Sequence, residues 1–238
     1  MTKSQPNVYS QRWFECFHGD ISDARTIPEV DFICTFGPMP KFRMVADVCC
    51  GMGRHARSLT RRGYSVTGID RDPNMIARAR SLGGGPRYIE ADLRDYQPDT
   101  AAYDLIIVMG QSFGHFDAAT NQAVLGGLAT GLRARGRLIV DSWNPDFFAS
   151  HQGERDFYLR DRIAHEEKRI QGGRLFVHLI YPGGEQEDFE WQLFTRTEIA
   201  TVAAPLGLTL ISCCTDFDHS AEPCTSKPRI QFVFERSA

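Results

Sequence analysis

Four residues in the stretch Val45–Asp70, VADVCCGMGRHARSLTRRGYSVTGID, have the types and spacing to do chemistry: Asp47, Gly51, Gly53 and Asp70. The stretch reads as a short apolar strand ending in Asp47 and a tight turn holding the two glycines. A helix follows over about Arg54 to Arg62, stopped by Gly63, and a second apolar strand, Tyr64 to Ile69, runs into Asp70. Such a βαβ unit turns backbone N–H groups and a helix N-terminus towards one point, a place to hold a nucleotide-like ligand. Two ligands compete for it. The letters G-M-G-R-H-A fit the dinucleotide pattern G-x-G-x-x-A, with Asp70 near the position of the ribose-binding acid. Asp47, however, stands just before the turn, where a pyrophosphate would repel it. A sulfonium cofactor with an amino-acid tail is cationic there and tolerates the acid, so the residues lean towards S-adenosylmethionine (SAM).

The same residues carry a family resemblance. VADVCCGMGRHA resembles the first motif of class I SAM-dependent methyltransferases, a hydrophobic strand followed by D/E-x-G-x-G-x-G, with Cys49 in place of the first glycine. VTGID with Asp70 resembles the second motif, RYIEADLRDY with Asp92 the third, and YDLIIVMGQSFGHF the fourth. LRARGRLIVDSW resembles the last strand of the core, with Arg135-Gly136 where a double glycine is common. The motifs run in order from about Val45 to Trp143. The resemblance implies an α/β, Rossmann-like doubly wound sheet of seven strands with an antiparallel final strand. It also assigns roles. Cys50, Gly51, Met52 and Gly53 would wrap the methionine tail, with Asp47 near its ammonium. Asp70 would accept from the ribose hydroxyls, with Arg71 and Met75 as neighbours of the adenine. Ala91, Asp92 and Leu93 would hold the adenine itself, and Gly110 and Gln111 would lie by the sulfonium.

Composition bounds what such a site can serve. A chain of 238 residues with 42% hydrophobic and 24% charged residues suits one sizeable globular core with an insertion. A formal net charge of −3 offers no electrostatic footprint for nucleic acid. No run approaches a membrane span and no N-terminal stretch resembles a signal peptide, so the cytoplasm is the expected location. The seven cysteines include two adjacent pairs, Cys49-Cys50 and Cys213-Cys214, and no CxxC spacing. Reduced, buried thiols and no metal centre are the expectation. Cys213, Cys214 and Cys224 are the set that a soft, thiophilic substrate would need, as in arsenic methyltransferases.

Residues 1–40 precede the core as a helical cap. VYSQRWFECF places Tyr9, Trp13, Phe14 and Phe17 at helical spacing, and TIPEVDFI reads as a second helix from Thr26 to Ile33, with Pro at its first turn. Tyr9 and Trp13 either shield the sulfonium, whose charge favours aromatic faces, or simply pack on the core. The core spans 41–150. Within it, Asp72-Pro73 and Asp117 start helices, and LIIVMG reads as a central buried strand leading into the turn QSFGHF. Phe113 and Phe116 would wall the acceptor. His115 is the side chain there able to take a proton near neutral pH, and a merely packed histidine is the alternative.

Between 154 and 194 the pattern changes to period two. RDFYLRD, RLFVHLIYP and EDFEWQLF read as three antiparallel strands joined at Gly172-Gly173 and Gly183-Gly184. This insertion would roof the acceptor pocket as a lid, similar to that of small-molecule methyltransferases, including sugar N-methyltransferases. Tyr158, His178 and Trp191 are its candidate substrate contacts. Residues 195–238 end the core with a capping box, Thr195 and Glu198, and two final strands, LTLISCC and RIQFVFE. The expectation is a single domain that transfers a methyl group from SAM to an N or O atom of a small molecule, in natural-product biosynthesis, with a homodimer compatible with it. A SAM-binding protein without turnover and an NAD-dependent oxidoreductase are the rival readings.

Overall fold

The computed structural model of the protein describes residues 7–17, 21–159 and 162–238. Two helices, α1 (Gln11–Phe17) and α2 (Asp23–Phe36), precede the first strand. Strands and helices then alternate as β1 (Met44–Val48), α3 (Arg54–Arg61), β2 (Ser65–Asp70), α4 (Pro73–Ser81), β3 (Arg87–Glu90), β4 (Tyr103–Val108), α5 (Ala118–Gly131) and β5 (Leu132–Trp143). A short α6 (Pro145–Ala149) leads into four strands, β6 (Gly153–Leu159), β7 (Arg162–Gln171), β8 (Arg174–Ile180) and β9 (Gln186–Gln192). The chain closes with α7 (Arg196–Ala203), β10 (Leu208–Cys214) and β11 (Arg229–Arg236).

Seven strands form one Rossmann-like sheet in the order β10-β11-β5-β4-β1-β2-β3. β1 lies parallel between β2 and β4, while β11 runs antiparallel to both β5 and β10. Because β4 sits at the centre, Leu105, Ile106, Ile107 and Val108 are all fully buried. Their alternation divides the core in two. Ile106 and Val108 join Leu125 and Leu128 of α5 and Ile199 of α7 on one face. Leu105 and Ile107 join Val30 and Ile33 of α2, Leu59 of α3 and Ile76 of α4 on the other. Burying each such side chain contributes about 1.5–3 kcal/mol before its ordering cost. The strands therefore hold their carboxyl ends in register, which is what a site at that edge requires.

Local capping sets where the helices begin. Asp72 accepts from Asn74 N at 2.8 Å ahead of Pro73, Asp117 accepts from Thr120 N at 3.0 Å, and Thr195 and Glu198 close the reciprocal capping box. The second cap helix differs from expectation. It starts at Asp23 behind Ser22, three residues before Thr26, and carries Pro28 inside it. Thr26 is not the cap: its hydroxyl donates back to Ser22 O, and Val30, Phe32 and Ile33 supply the buried face that keeps the helix going past the proline.

The 154–194 insertion has four strands rather than three, in the order β6-β7-β8-β9. The additional strand is β7, RIAHEEKRIQ, whose alternation is inverted. It turns Ala164 and Glu166 inward and leaves Ile163 exposed. Glu166 is tolerated inside because Lys168 and Arg155 both bond its carboxylate. RDFYLRD was expected as one strand; it supplies β6, and its last two residues lie outside the described residues. The inner face of this sheet packs Leu175, Phe189 and Trp191 against Tyr9, Trp13 and Phe17 of the cap. Among the described residues, no helix is long and apolar enough to cross a membrane.

Candidate active site

A cleft of about 680 Å³ opens at the carboxyl edge of the seven-stranded sheet, between the turns that follow β1, β2, β3 and β4. One end is built from the first βαβ unit. Gly51 has φ +52, and a Cβ placed on it would meet nothing within 4 Å, so its backbone faces open cleft space. Gly51 N donates to Asp70 Oδ2 at 2.7 Å, and Asp72 N donates to Asp70 Oδ1 at 3.0 Å. Burial pushes the Asp70 carboxyl up, against the pull of those two N–H groups. Gly53 has a different duty. A Cβ there would lie 2.3 Å from the Tyr88 hydroxyl, so this glycine lets α3 pack close to β3 and does not line the cleft.

The other end is the turn after β4. Gly110 has φ +69, with nothing within 4 Å of a built Cβ, and faces the cleft as Gly51 does. His115 lines the cleft with its Nε2 3.0 Å from Tyr9 Oη. Burial first, then the Arg71 guanidinium, pushes the imidazole down to about 3, so the ring is neutral at physiological pH. Burial likewise raises the Tyr9 hydroxyl. Tyr9 stacks on Phe189 at 5.1 Å and meets Trp13 at 4.4 Å, so the cap supplies an aromatic wall.

Of the residues singled out in the sequence, Tyr9, Trp13, Cys50, Gly51, Met52, Asp70, Arg71, Ala91, Asp92, Leu93, Gly110, His115 and Phe116 converge on this cleft. Others do not. Asp47 is buried behind the glycine turn, where its Oδ2 accepts from Ala56 N at 3.0 Å. It caps the first turn of α3 from the neighbouring strand, satisfying a donor that Gly53 has no side chain to meet. Met75 sits outside the lining, on α4. Gln111 turns its amide down to Asp141 Oδ2 and its carbonyl towards Trp191 Nε1, away from the cleft. Phe113 is a core residue, stacked on Phe194 at 5.6 Å, because the turn is tight enough to fold it under the sheet edge.

None of the three lid candidates reaches the cleft either. Tyr158 is 76% exposed, His178 pairs with Asp188 at 2.8 Å, and Trp191 is buried beside Trp143 and His115. The lid touches the site loop through Gln192 N, which donates to Gly114 O at 2.7 Å, and through the Trp191 and Arg174 side chains, which donate to the Gln111 and Phe116 carbonyls. It also does so through Asn7 of the cap, whose side chain bonds both Glu190 and the His115 carbonyl. Cys213 and Cys214 point to opposite faces of the sheet and Cys224 is exposed, so these three thiols do not converge.

The sequence reading missed Arg54 and His55, which line the cleft beside the glycine turn, and the carboxylate that holds them. Buried Glu29 of α2 bonds Arg54, accepts from His55 Nε2 at 2.8 Å and pairs with Arg229 at 3.0 Å. Burial would raise the Glu29 carboxyl, but His55, Arg54 and Arg229 together hold it well below the usual range. Asp92 is paired with Arg94 at 2.8 Å and is held down to about 2 chiefly by that contact. A signal for Glu29 was present: an acid in the otherwise apolar stripe of a helix needs buried partners.

Residues 45–136 match the profile of a methyltransferase domain. A dTDP-3-amino-3,6-dideoxy-alpha-D-glucopyranose N,N-dimethyltransferase of Streptomyces fradiae is 25% identical over 184 residues, covering 72% of each chain. A SAM-dependent methyltransferase structure from Clostridium acetobutylicum superposes with a TM-score of 0.76 at 18% identity, over 95% of this chain and 97% of that one. A SAM-bound amino pentose methyltransferase from Micromonospora echinaspora, involved in calicheamicin biosynthesis, gives 0.74 at 20% identity, over 98% and 100%. These matches favour neither an NAD-dependent oxidoreductase nor a protein that binds SAM without turnover.

Proposed function

We propose that this chain, a SAM-dependent methyltransferase of the class I fold acting on a small molecule, methylates an amine nitrogen of a sugar-like acceptor in natural-product biosynthesis. When bound, SAM supplies the activated methyl on its sulfonium. The residues present fit that cofactor. Gly51 and Gly110 keep bare the two places where a Cβ would fill the cleft, and Tyr9 and Trp13 offer aromatic faces to a cation. In this reading Cys50, Gly51 and Met52 hold the amino-acid tail through backbone groups, with Arg54 beside its carboxylate. Asp70 takes the ribose hydroxyls, Arg71, Ala91, Asp92 and Leu93 border the adenine, and Phe116 borders the acceptor.

The observation that carries the choice of nitrogen is the state of His115. A hydroxyl acceptor needs a base that can keep its proton, and an imidazole pushed down to about 3 keeps none at neutral pH. A neutral amine needs only its lone pair oriented. The nearby Arg71 cation disfavours the protonated amine, and His115 with Tyr9 can bond the neutral one. The relative from Streptomyces fradiae, named for N,N-dimethylation of an amino sugar nucleotide, points the same way. The test is turnover with a dTDP-linked amino sugar against its hydroxyl analogue, following release of S-adenosylhomocysteine. Methylation of the amine alone is expected, and methylation of the hydroxyl analogue would overturn the reading.

A homodimer belongs to the same proposal, supported by the exposed cross-strand pair Tyr158 and Ile163 on the lid, and sedimentation velocity decides it. We also propose that residues 1–238 act as a single domain in the cytoplasm, whose reducing conditions suit the seven free cysteines.

A further inference from the structure

Behind the cleft, at the carboxyl end of β5, Asp141 is fully buried and accepts five hydrogen bonds. Its Oδ2 takes Gly110 N at 3.0 Å, Gln111 Nε2 at 2.5 Å and Arg229 Nη2 at 2.5 Å. Its Oδ1 takes Arg229 Nε at 3.1 Å and Gln231 Nε2 at 2.8 Å. Every partner is a donor. An asparagine of the same shape would have to aim its own NH₂ at one of these two sets, so only a carboxylate satisfies the position.

Two of the five bonds go to a turn, not to the sheet. Gly110 and Gln111 both have positive φ, +69 and +59, and a glutamine holds that conformation only where its surroundings over-determine it. Here they do. Asp141 holds the Gln111 amide from below, and Trp191 Nε1 of the lid donates to the Gln111 carbonyl at 3.0 Å from above. On its far side Asp141 is paired with Arg229, and Arg229 Nη1 bonds Glu29 Oε1, the carboxylate that also carries His55 and Arg54 at the glycine turn. A buried chain of alternating charge thus runs beneath the cleft from one end to the other.

We propose that Asp141 is a positioning residue for methyl transfer, acting through Gly110 and Gln111 to fix the turn that borders the reacting end of the cleft, while Arg229 and Glu29 tie that turn to the N-terminus of α3. The proposal rests on the reading of this cleft as the SAM site. Buried ion pairs are poor evidence of net stability, and the bonds to the turn give this one a second purpose.

The test compares the full-length wild type with Asp141→Asn and Gln111→Met, measuring SAM affinity by calorimetry, kcat and KM with an amino sugar acceptor, and hydrogen exchange of the Trp191 indole N–H by NMR. Asp141→Asn is expected to lower kcat by about tenfold to a hundredfold, the scale of a sub-ångström to 1 Å misplacement, with SAM affinity changed by less than about threefold. The Trp191 indole proton, its acceptor displaced, is expected to exchange at least about tenfold faster. Gln111→Met leaves the Asp141–Arg229 pair intact and is expected to move both readouts in the same direction by a smaller amount. It carries the test should Asp141→Asn fail to fold. Wild-type kcat in Gln111→Met, or reduced kcat with Trp191 exchange unchanged, would overturn the proposal. Failure of the wild type to bind SAM would overturn the reading of the cleft instead, and the Trp191 exchange would still decide whether Asp141 sets the turn.

Discussion

The two ends of the cleft are built in opposite ways. At the glycine turn, the bonds that shape the backbone close within one contiguous stretch, Asp47 to Ala56, Gly51 to Asp70 and Asp72 back to Asp70, and the long-range bonds are those of the Arg54 and His55 side chains to Glu29. At the turn after β4, the partners come from across the chain. Asp141 lies below, Trp191 and Gln192 reach in from the lid, and Asn7 and Tyr9 come from the cap. The first end is a local device that can hold the same cofactor in many proteins. The second exists only when cap, core and lid are all docked, and in the proposed reading it is where this chain's individuality in acceptor and chemistry is set. The contrast also explains why an acid is needed at both ends. Asp70 and Asp141 each accept the backbone N–H of a glycine with positive φ, Gly51 and Gly110, one from the next strand of the unit and one from the strand beside it.

If the glycine-turn end is the cofactor's, Asp70→Ala is its most damaging single change. It removes the acceptor of two backbone N–H groups together with the proposed ribose contact, each worth about 1.5–3 kcal/mol to a charged group. SAM affinity should fall by about 100-fold or more in calorimetry while the fold, read by circular dichroism, persists. Retained affinity would break the comparison outright.

Gly114→Ala strikes the other end at its junction with the lid. The new Cβ would lie 2.6 Å from the Gln192 carbonyl oxygen, at a residue with φ +97. A cost of about 2–3 kcal/mol follows from the overlap and the left-handed backbone, or a melting point lower by roughly 5–10 °C. Turnover should fall further than SAM affinity does, since the cofactor's end is untouched.

The effect of acid is smaller and has a definite sign. The native His115 ring takes a proton only near pH 3, whereas the unfolded ring does so near about 6.5. Between those values the unfolded state binds more protons, so stability declines as the pH falls below about 6.5 and is unaffected above it. With one edge of the ring on the cleft, the loss at pH 5 should be about 1–2 kcal/mol. Urea midpoints at pH 7 and 5 should therefore differ less in His115→Gln than in the wild type.

The smallest expected change is a gain. Cys49, standing where the first motif commonly has glycine, has φ +59. Relief of a left-handed side chain, about 1–2 kcal/mol, is offset by the entropy of a glycine, about 0.5–1 kcal/mol. Cys49→Gly should raise the melting temperature by about 1–2 °C and tighten SAM binding less than threefold. A loss in either would mean that the thiol's packing against the core outweighs its strain.

What the sequence alone determined is what local rules determine. The turn between β1 and α3, the caps at Asp72, Asp117 and Thr195 and the buried run of β4 each depend on residues a few positions apart, and each was legible. Period-two reading found three lid strands but passed over β7, because Ala164 and Glu166 face inward there and only Arg155 and Lys168 make that tolerable. Tertiary structure decided the rest. Asp47 and Asp70 look alike in the sequence, each an acid ending an apolar strand, yet one caps a helix behind the cleft and the other lines it. Phe113 and Phe116 share one loop and end on opposite sides of its turn. Arg229 stands 88 residues from Asp141 and 200 from Glu29, and no pattern at those separations announces a pair. A hydrogen bond depends on position to a few tenths of an ångström, and that precision arises only once the sheet register has brought distant strand ends side by side.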